Sequence, residues 1–262
     1  MVFFSPEDLA FVKGEPSARR RYIDELITAR WPRLAGVRAD YEKVLRQRST
    51  LLKSLAGRGP RPVGAETAST LDVWDGQLAT LGAEILAARL VTLAELTPLL
   101  ASAYCDIAPS NNVATATYKA SAEVGAQLTT SELTDALVEA MSSRRSEEIA
   151  RGQCLVGPHR DDLALNLGEL PAKGYASHGE SWSYALALRL AAFALLRSDG
   201  IEPVLVLDDV FAELDETRRL RLSDLVGDAA QVLITAAVAA DVPLALRAEH
   251  FRVQAGAVER LA

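Results

Sequence analysis

The segment Pro203-Val-Leu-Val-Leu207 runs directly into Asp208 and Asp209, and no other stretch of the 262 residues restricts the fold so strongly. A short, continuous, β-branched apolar run is what a strand buried on both faces requires, and such strands belong to parallel sheets covered by helices. Gln231-Val-Leu-Ile-Thr235 has the same character, and a long apolar helix is expected from Ser181 to Arg197. Helix and strands alternating in this way imply an α/β fold with a parallel sheet.

Ahead of that region the periodicity changes. From Ser17 to about Leu55 apolar residues (Tyr22, Leu26, Leu34, Val37, Tyr41, Val44, Leu45) recur at three and four, the amphipathic helix pattern, with a break expected at Pro32. Gly57-Arg-Gly-Pro-Arg-Pro-Val-Gly64 reads as an exposed connection. A second helical stretch, Leu71 to about Ala103, makes an antiparallel helical hairpin with the first. Mixed structure then resumes: a strand between Asn111 and Ser121, a helix from Ser131 to Arg151 capped by Ser131, and a period-two strand, Asp162-Leu-Ala-Leu-Asn-Leu167.

Composition narrows the function classes. A hydrophobic content of 49% supports a folded core, and no run of eighteen uncharged apolar residues argues for a membrane span. Glu7 and Asp8 stand where a signal peptide would be basic and then apolar, so the expected location is cytoplasmic. Cys105 and Cys154 lack metal-site spacing and read as buried thiols. A net charge of −7 argues against coating nucleic acid by bulk electrostatics, so any DNA contact must be local or supplied by a partner.

Chemistry is concentrated late in the chain. Strand C-termini in open α/β sheets face the ligand cleft, and paired carboxylates there are costly unless something positive, such as magnesium carrying nucleotide phosphates, neutralises them. Asp208 and Asp209 are therefore a candidate Walker B site; the same pattern also fits an Asp that caps the next helix or binds an arginine. Upstream, Ser177-His-Gly179-Glu180-Ser181 leads into a helix, offering backbone N–H groups, a hydroxyl and the positive dipole end to an anion; an ordinary N-cap is the alternative. Asp215 follows in Glu213-Leu-Asp215.

In this order, the Ser177 segment, helix, Asp208 strand, Asp215 loop and Thr235 strand resemble the C-terminal half of an ABC-type ATPase head. Within that superfamily three segments resemble the RecF family: Pro6-Glu-Asp8 through Asp24, Gly157-Pro-His159-Arg160-Asp161-Asp162, and Asp208-Asp209-Val-Phe-Ala-Glu213-Leu214-Asp215 with Arg218 and Leu222. The resemblance implies a residual segment of the ATPase lobe over 1–16, a helical arm over 17–110, a return segment over 111–153 and the C-terminal part of the head over 154–262. It implies ATP and Mg2+ as ligands, with Asp208 the metal-linked carboxylate and Asp209 at the water-activating position. Ser177, Gly179, Glu180 and Asp215 would then contact a nucleotide shared between two heads of a homodimer. The implied partners are DNA, RecR and RecO, in loading RecA at gaps, with a link to the SOS response. Aspartate at the Asp209 position, one methylene shorter than the usual glutamate, implies slow hydrolysis.

Two departures stand out. Glu180 occupies a position that is often glutamine, adding a negative charge that a neighbouring arginine could offset. No Gly-x-x-x-x-Gly-Lys-[ST] loop occurs, so an N-terminally truncated RecF-like chain is expected, with no ATPase activity of its own and an unpaired sheet edge. Arg19, Arg20 and Arg21 could touch phosphates or be solvated or paired internally; the resemblance implies that His159 and Arg160 sit close to the nucleotide or the head interface, with a structural pair between Arg160 and Asp161 or Asp162 as the alternative. Competing readings are a nucleotide-independent helical scaffold, another SMC-like or transporter-type head, and a metal-dependent enzyme using Asp208, Asp209 and His159.

Overall fold

A computed structural model describes residues 1–56, 64–109, 113–124, 129–243, 246 and 249–261. The elements run β1 (Val2–Phe4), α1 (Leu9–Lys13), α2 (Pro16–Arg30), α3 (Leu34–Leu55), α4 (Ala65–Ile107), β2 (Ala114–Lys119), α5 (Thr130–Arg151), β3 (Asp162–Leu167), β4 (Leu170–Pro171) and a single turn α6 (Ala172–Tyr175). The long helix α7 (His178–Ser198) then leads to β5 (Leu205–Asp208), α8 (Glu216–Val226), β6 (Val232–Thr235), β7 (Phe251–Gln254) and β8 (Ala257–Arg260).

The expected parallel sheet is present, in the order β1-β5-β6, with Phe4 beside Leu207 and Leu207 beside Ile234. Leu205 and Leu207 are fully buried, and Phe4 meets the Trp182 ring of α7 edge-on. The next residue in each strand points the other way, so Phe3, Val206 and Leu233 share the opposite face, where Phe3 and Leu233 stand exposed. Among the described residues β1 and β6 are the sheet's edges.

Helix α7 is apolar around almost its whole circumference, and Ser181 through Leu188 are all buried. Such a helix needs partners on every side. It finds them in the sheet, α1 and the 43-residue helix α4, which spans roughly 65 Å at 1.5 Å per residue. α4 is the one helix among the described residues long and apolar enough to cross a membrane; here it packs against α3, α5, α7 and β2. Its N-terminal end and α3 share a small separate core of Leu52, Leu55, Leu71 and Cys154.

The helix break falls between Arg30 and Leu34, around Pro32, and β3 covers the residues read as a strand. The connection read at Gly57–Gly64 lies, apart from Gly64, outside the described residues. Three readings need correction. The cap of α5 is Thr129, in a capping box with Glu132, because an oxygen two residues earlier than Ser131 reaches the first free N–H groups. Cys154 is buried but Cys105 is exposed. The β7–β8 hairpin, turning through Ala255 and Gly256 with positive φ at both, was not anticipated.

Candidate functional site

β5 ends in Asp208 at the C-terminal edge of the parallel sheet, where the adjacent strand β6 ends in Thr235, its register partner. The Thr235 hydroxyl donates a short hydrogen bond to the Asp208 carboxylate. Asp209 then turns the chain in the left-handed region (φ 51°, ψ 29°), which aspartate tolerates better than most residues. Its N–H is fixed by the Thr235 carbonyl at 3.2 Å and the Thr235 hydroxyl at 3.1 Å. Strain of this kind persists where surrounding contacts over-determine it. Among the described residues neither Asp208 nor Asp209 forms a salt bridge, so the two partly exposed carboxylates are free of protein cations. That suits a divalent cation, yet no cluster of three His, Cys, Asp or Glu side chains accompanies them among the described residues. Further oxygen ligands would have to come from phosphate and water.

The N-terminus of α7 presents the Ser177 segment. Ser177 is the N-cap: its hydroxyl accepts from the Glu180 N–H at 3.3 Å, and the Glu180 carboxylate accepts from the Ser177 N–H at 2.8 Å. This reciprocal box works equally well with glutamine, which explains why either residue can occupy the position. The Ser177 bonds hold the Glu180 carboxyl below its ordinary range, with the nearby Arg218 guanidinium adding to the effect. Arg218 is thus the offsetting arginine. The first two helical N–H groups, of His178 and Gly179, have no intrahelical acceptor and point toward any anion placed there. A Cβ at Gly179 would lie 3.2 Å from Arg218 Nη1, so a larger residue would press on that arginine.

Asp215 caps α8, accepting from the Arg218 N–H at 2.9 Å, while its second oxygen pairs with Arg218 Nε at 3.4 Å. Arg218 therefore links the Asp215 and Glu180 elements. His178 adds a second link: its Nδ1 lies 3.2 Å from Lys13 Nζ and its Nε2 lies 3.4 Å from Glu213. Sequence reading did not single out His178 or Thr235 as site residues, since only the juxtaposition of distant strands and loops reveals them.

The Gly157–Asp162 segment lies elsewhere, against the base of the helical hairpin. His159 Nδ1 is 2.7 Å from the Tyr41 hydroxyl, and burial, reinforced by Arg160, pushes His159 down to about 4. Gly157 has φ +123°, and a Cβ there would come within 2.4 Å of the same hydroxyl. Arg160 donates to the Cys154 carbonyl at 2.7 Å and pairs with neither Asp161 nor Asp162, which removes that one of its two readings. Asp162 is taken by Arg19 in a two-pronged bridge at 2.7 and 2.9 Å, and Asp161 accepts from Tyr118 and the Ser121 N–H. Arg19 is buried and internally committed, as one of the two readings held.

A three-stranded parallel sheet with carboxylates at its strand ends, a buried helix whose capped N-terminus lies nearby and an inserted helical arm define an ABC-ATPase-like α/β fold. No family model matches the chain. It is 55% identical over 269 residues to the DNA replication and repair protein RecF of Cutibacterium acnes, covering 98% of this chain and 68% of that protein. The RecF of Streptomyces avermitilis is 57% identical over 260 residues, covering 99% of this chain and 69% of the relative. Among solved structures, the recombination mediator protein RecF-ATPrS of the RecFOR pathway superimposes with a TM-score of 0.84 at 29% identity, over the whole of this chain and 67% of that one. RecF-ATP of the same pathway gives 0.83 at 27% identity. The chain belongs to the RecF family of DNA replication and repair proteins.

Proposed function

We propose that this chain supplies the metal-binding and trans-acting half of an ATP-dependent DNA-binding switch. The observation that carries the reading is the pair of carboxylates without a protein cation among the described residues, Asp208 and Asp209, held at the sheet's ligand-facing end by Thr235. Relatives solved with ATP and ATPrS support the same ligand. Bound Mg2+ supplies charge neutralisation and polarisation of the phosphates. Asp208 would hold it, and the shorter Asp209 would orient water at reduced efficiency, giving slow turnover.

The remaining residues act as positions for charge. The free N–H groups of His178 and Gly179 and the Ser177 hydroxyl are suited to reading the terminal phosphate held by a second head. Asp215 fixes Arg218, and so the distance between the two loops. Residues 17–110 form the arm that extends the head, and 154–262 its C-terminal part. Nucleotide-driven dimerisation would then create a surface for DNA at gaps, with RecR and RecO as partners in loading RecA, in a cytoplasmic protein that acts in the SOS response.

The test is equilibrium binding of a fluorescent ATP analogue with magnesium, to this chain and to a version extended at its N-terminus to the relatives' full length. Binding by the extended protein alone, with its magnesium dependence lost in Asp208→Asn, is the expected result. Tight binding by this chain, unchanged by Asp208→Asn, would overturn the reading. The metal-dependent enzyme alternative loses its third ligand, because His159 is bonded to Tyr41 at the base of the hairpin.

A further inference from the structure

A cavity of about 260 Å³ lies where the helical hairpin meets the head, between α2, α3, α4 and the Pro158-His159 loop. Four arginines line it: Arg20 and Arg21 from α2, Arg38 from α3 and Arg89 from α4. Adjacent residues on a helix diverge by about 100°, yet Arg20 and Arg21 both reach this cavity while Arg19 is drawn away to Asp162.

The charges within it do not balance. Two carboxylates share the wall, Asp24 and Glu42. Asp24 is consumed by Arg89, which grips it through Nε at 2.8 Å and Nη2 at 3.0 Å, with Arg38 Nη2 at 3.3 Å. Glu42 sits exposed on the rim, 3.8 Å from Arg46. Arg20 spends one donor, on the neutral Asp161 carbonyl at 2.8 Å, and Arg21 has no partner among the described residues. Arg20, half-buried, and Arg21, exposed, are left without an ionic partner among the described residues, with most of their N–H donors unused. Such a cluster is stabilised by an anion, and the planar forks of arginine match an oxyanion best.

We propose that this cavity is a phosphate-binding site, in which one phosphate group, from a DNA backbone or from free phosphate, is held between Arg20 and Arg21 of α2 and Arg38 of α3. The size agrees: the cavity is below the roughly 300 Å³ at which small-molecule sites begin, enough for a phosphate group but not for a nucleotide with its base. His159, on the same wall, is held neutral chiefly by burial, with repulsion from Arg160 and Arg20 adding to it, so it brings no further positive charge to the cavity. The proposal does not rest on the nucleotide reading of Asp208, which lies on the sheet.

The test uses the whole chain and nuclear magnetic resonance of the arginine Nε–H groups and the histidine rings. Inorganic phosphate is titrated against chloride at matched ionic strength and pH 7. Saturable shifts are expected at Arg20, Arg21, Arg38 and His159, with none at His250. Arg21→Ala, an exposed residue whose loss leaves the core intact, should raise the half-saturation on the order of tenfold, as for removal of a charged hydrogen bond. A duplex lacking terminal phosphates is then added: displacement of phosphate, with the salt slope of duplex binding reduced by about one in Arg21→Ala, assigns the site to the DNA backbone. Phosphate binding that the duplex does not disturb assigns it to free phosphate. Shifts that fail to saturate, or that persist unchanged in Arg21→Ala, would overturn the proposal.

Discussion

Arg48 in the arm and Asp208 at the end of β5 show two opposite ways of keeping a charge inside a fold. Arg48 has no exposed surface. Its Nε bonds Asp75 at 2.5 Å, its Nη2 bonds Glu148 at 2.6 Å, and its Nη1 reaches the Cys154 sulfur at 3.2 Å. The partners are satisfied in turn, since Glu148 accepts the Leu155 N–H at 2.6 Å and Asp75 also pairs with Arg145 at 2.7 Å. Asp208 has a hydroxyl and no cation. The arm closes its charges within the chain and is built for rigidity, whereas the strand end leaves its charges open to a ligand. Stability should therefore concentrate at the first site and ligand sensitivity at the second.

The largest effect is expected from Arg48→Ala. Removing the cation strands the buried Glu148 and leaves Asp75 to Arg145 alone, and losing one partner of a buried pair costs about 3–5 kcal/mol. Urea unfolding followed by circular dichroism measures it. A loss under 1 kcal/mol would mean that the arm's interior is wetter and looser than its geometry suggests, and the contrast with Asp208 would dissolve.

Acid should act on the arm's base next. His159 has its folded pKa lowered to about 4, so the unfolded chain binds the proton more readily. The stabilising difference is present above the ordinary histidine value near 6.5 and is lost as pH falls from there toward 4, by of order 3 kcal/mol. In His159→Gln the slope between pH 6.5 and 4 should flatten. Equal slopes in both proteins would show that the burial of His159 is not what resists protonation.

At the α7 N-terminus the two regimes meet, because Ser177 both caps a helix and faces the site. Ser177→Ala should cost about 1 kcal/mol through the lost cap. Glu180→Gln should leave stability nearly unchanged, since the amide oxygen can still accept the Ser177 N–H. If Glu180→Gln costs as much as Ser177→Ala, the carboxylate's charge and its neighbour Arg218 matter more than the box.

How much of this was legible in the sequence follows the same division. The parallel strands, the break near Pro32, the period-two strand β3 and the Ser177 and Asp208 segments are written in local pattern, because each sits on one strand or one helix end. The β7–β8 hairpin escaped because all its residues are exposed, so no buried face imprinted alternation. The Arg48 cluster was invisible for a different reason: its partners Asp75 and Glu148 lie 27 and 100 positions away. For Arg160 the sequence left two readings open, and the one that paired it with a neighbouring aspartate fails because Arg160 donates to the backbone carbonyl of Cys154 and Asp162 is taken by Arg19. Proximity in sequence identifies candidates for an ion pair, and only the strand's facing determines which one wins.

The smallest expected effect on stability is the most informative for the site. Asp208→Asn keeps an oxygen for the Thr235 hydroxyl and relieves the repulsion between adjacent carboxylates, so unfolding free energy should move by no more than about 0.5 kcal/mol in either direction. In a protein extended to the relatives' length, the same substitution should remove the magnesium dependence of ATP-analogue binding. A structural residue would behave in the reverse way, losing stability first and ligand only as a consequence of unfolding. Thermal unfolding and analogue binding, measured side by side for Asp208→Asn and Arg48→Ala, place the two residues on opposite axes. A stability loss at Asp208 comparable to that at Arg48 would show that the strand-end carboxylate closes within the chain after all.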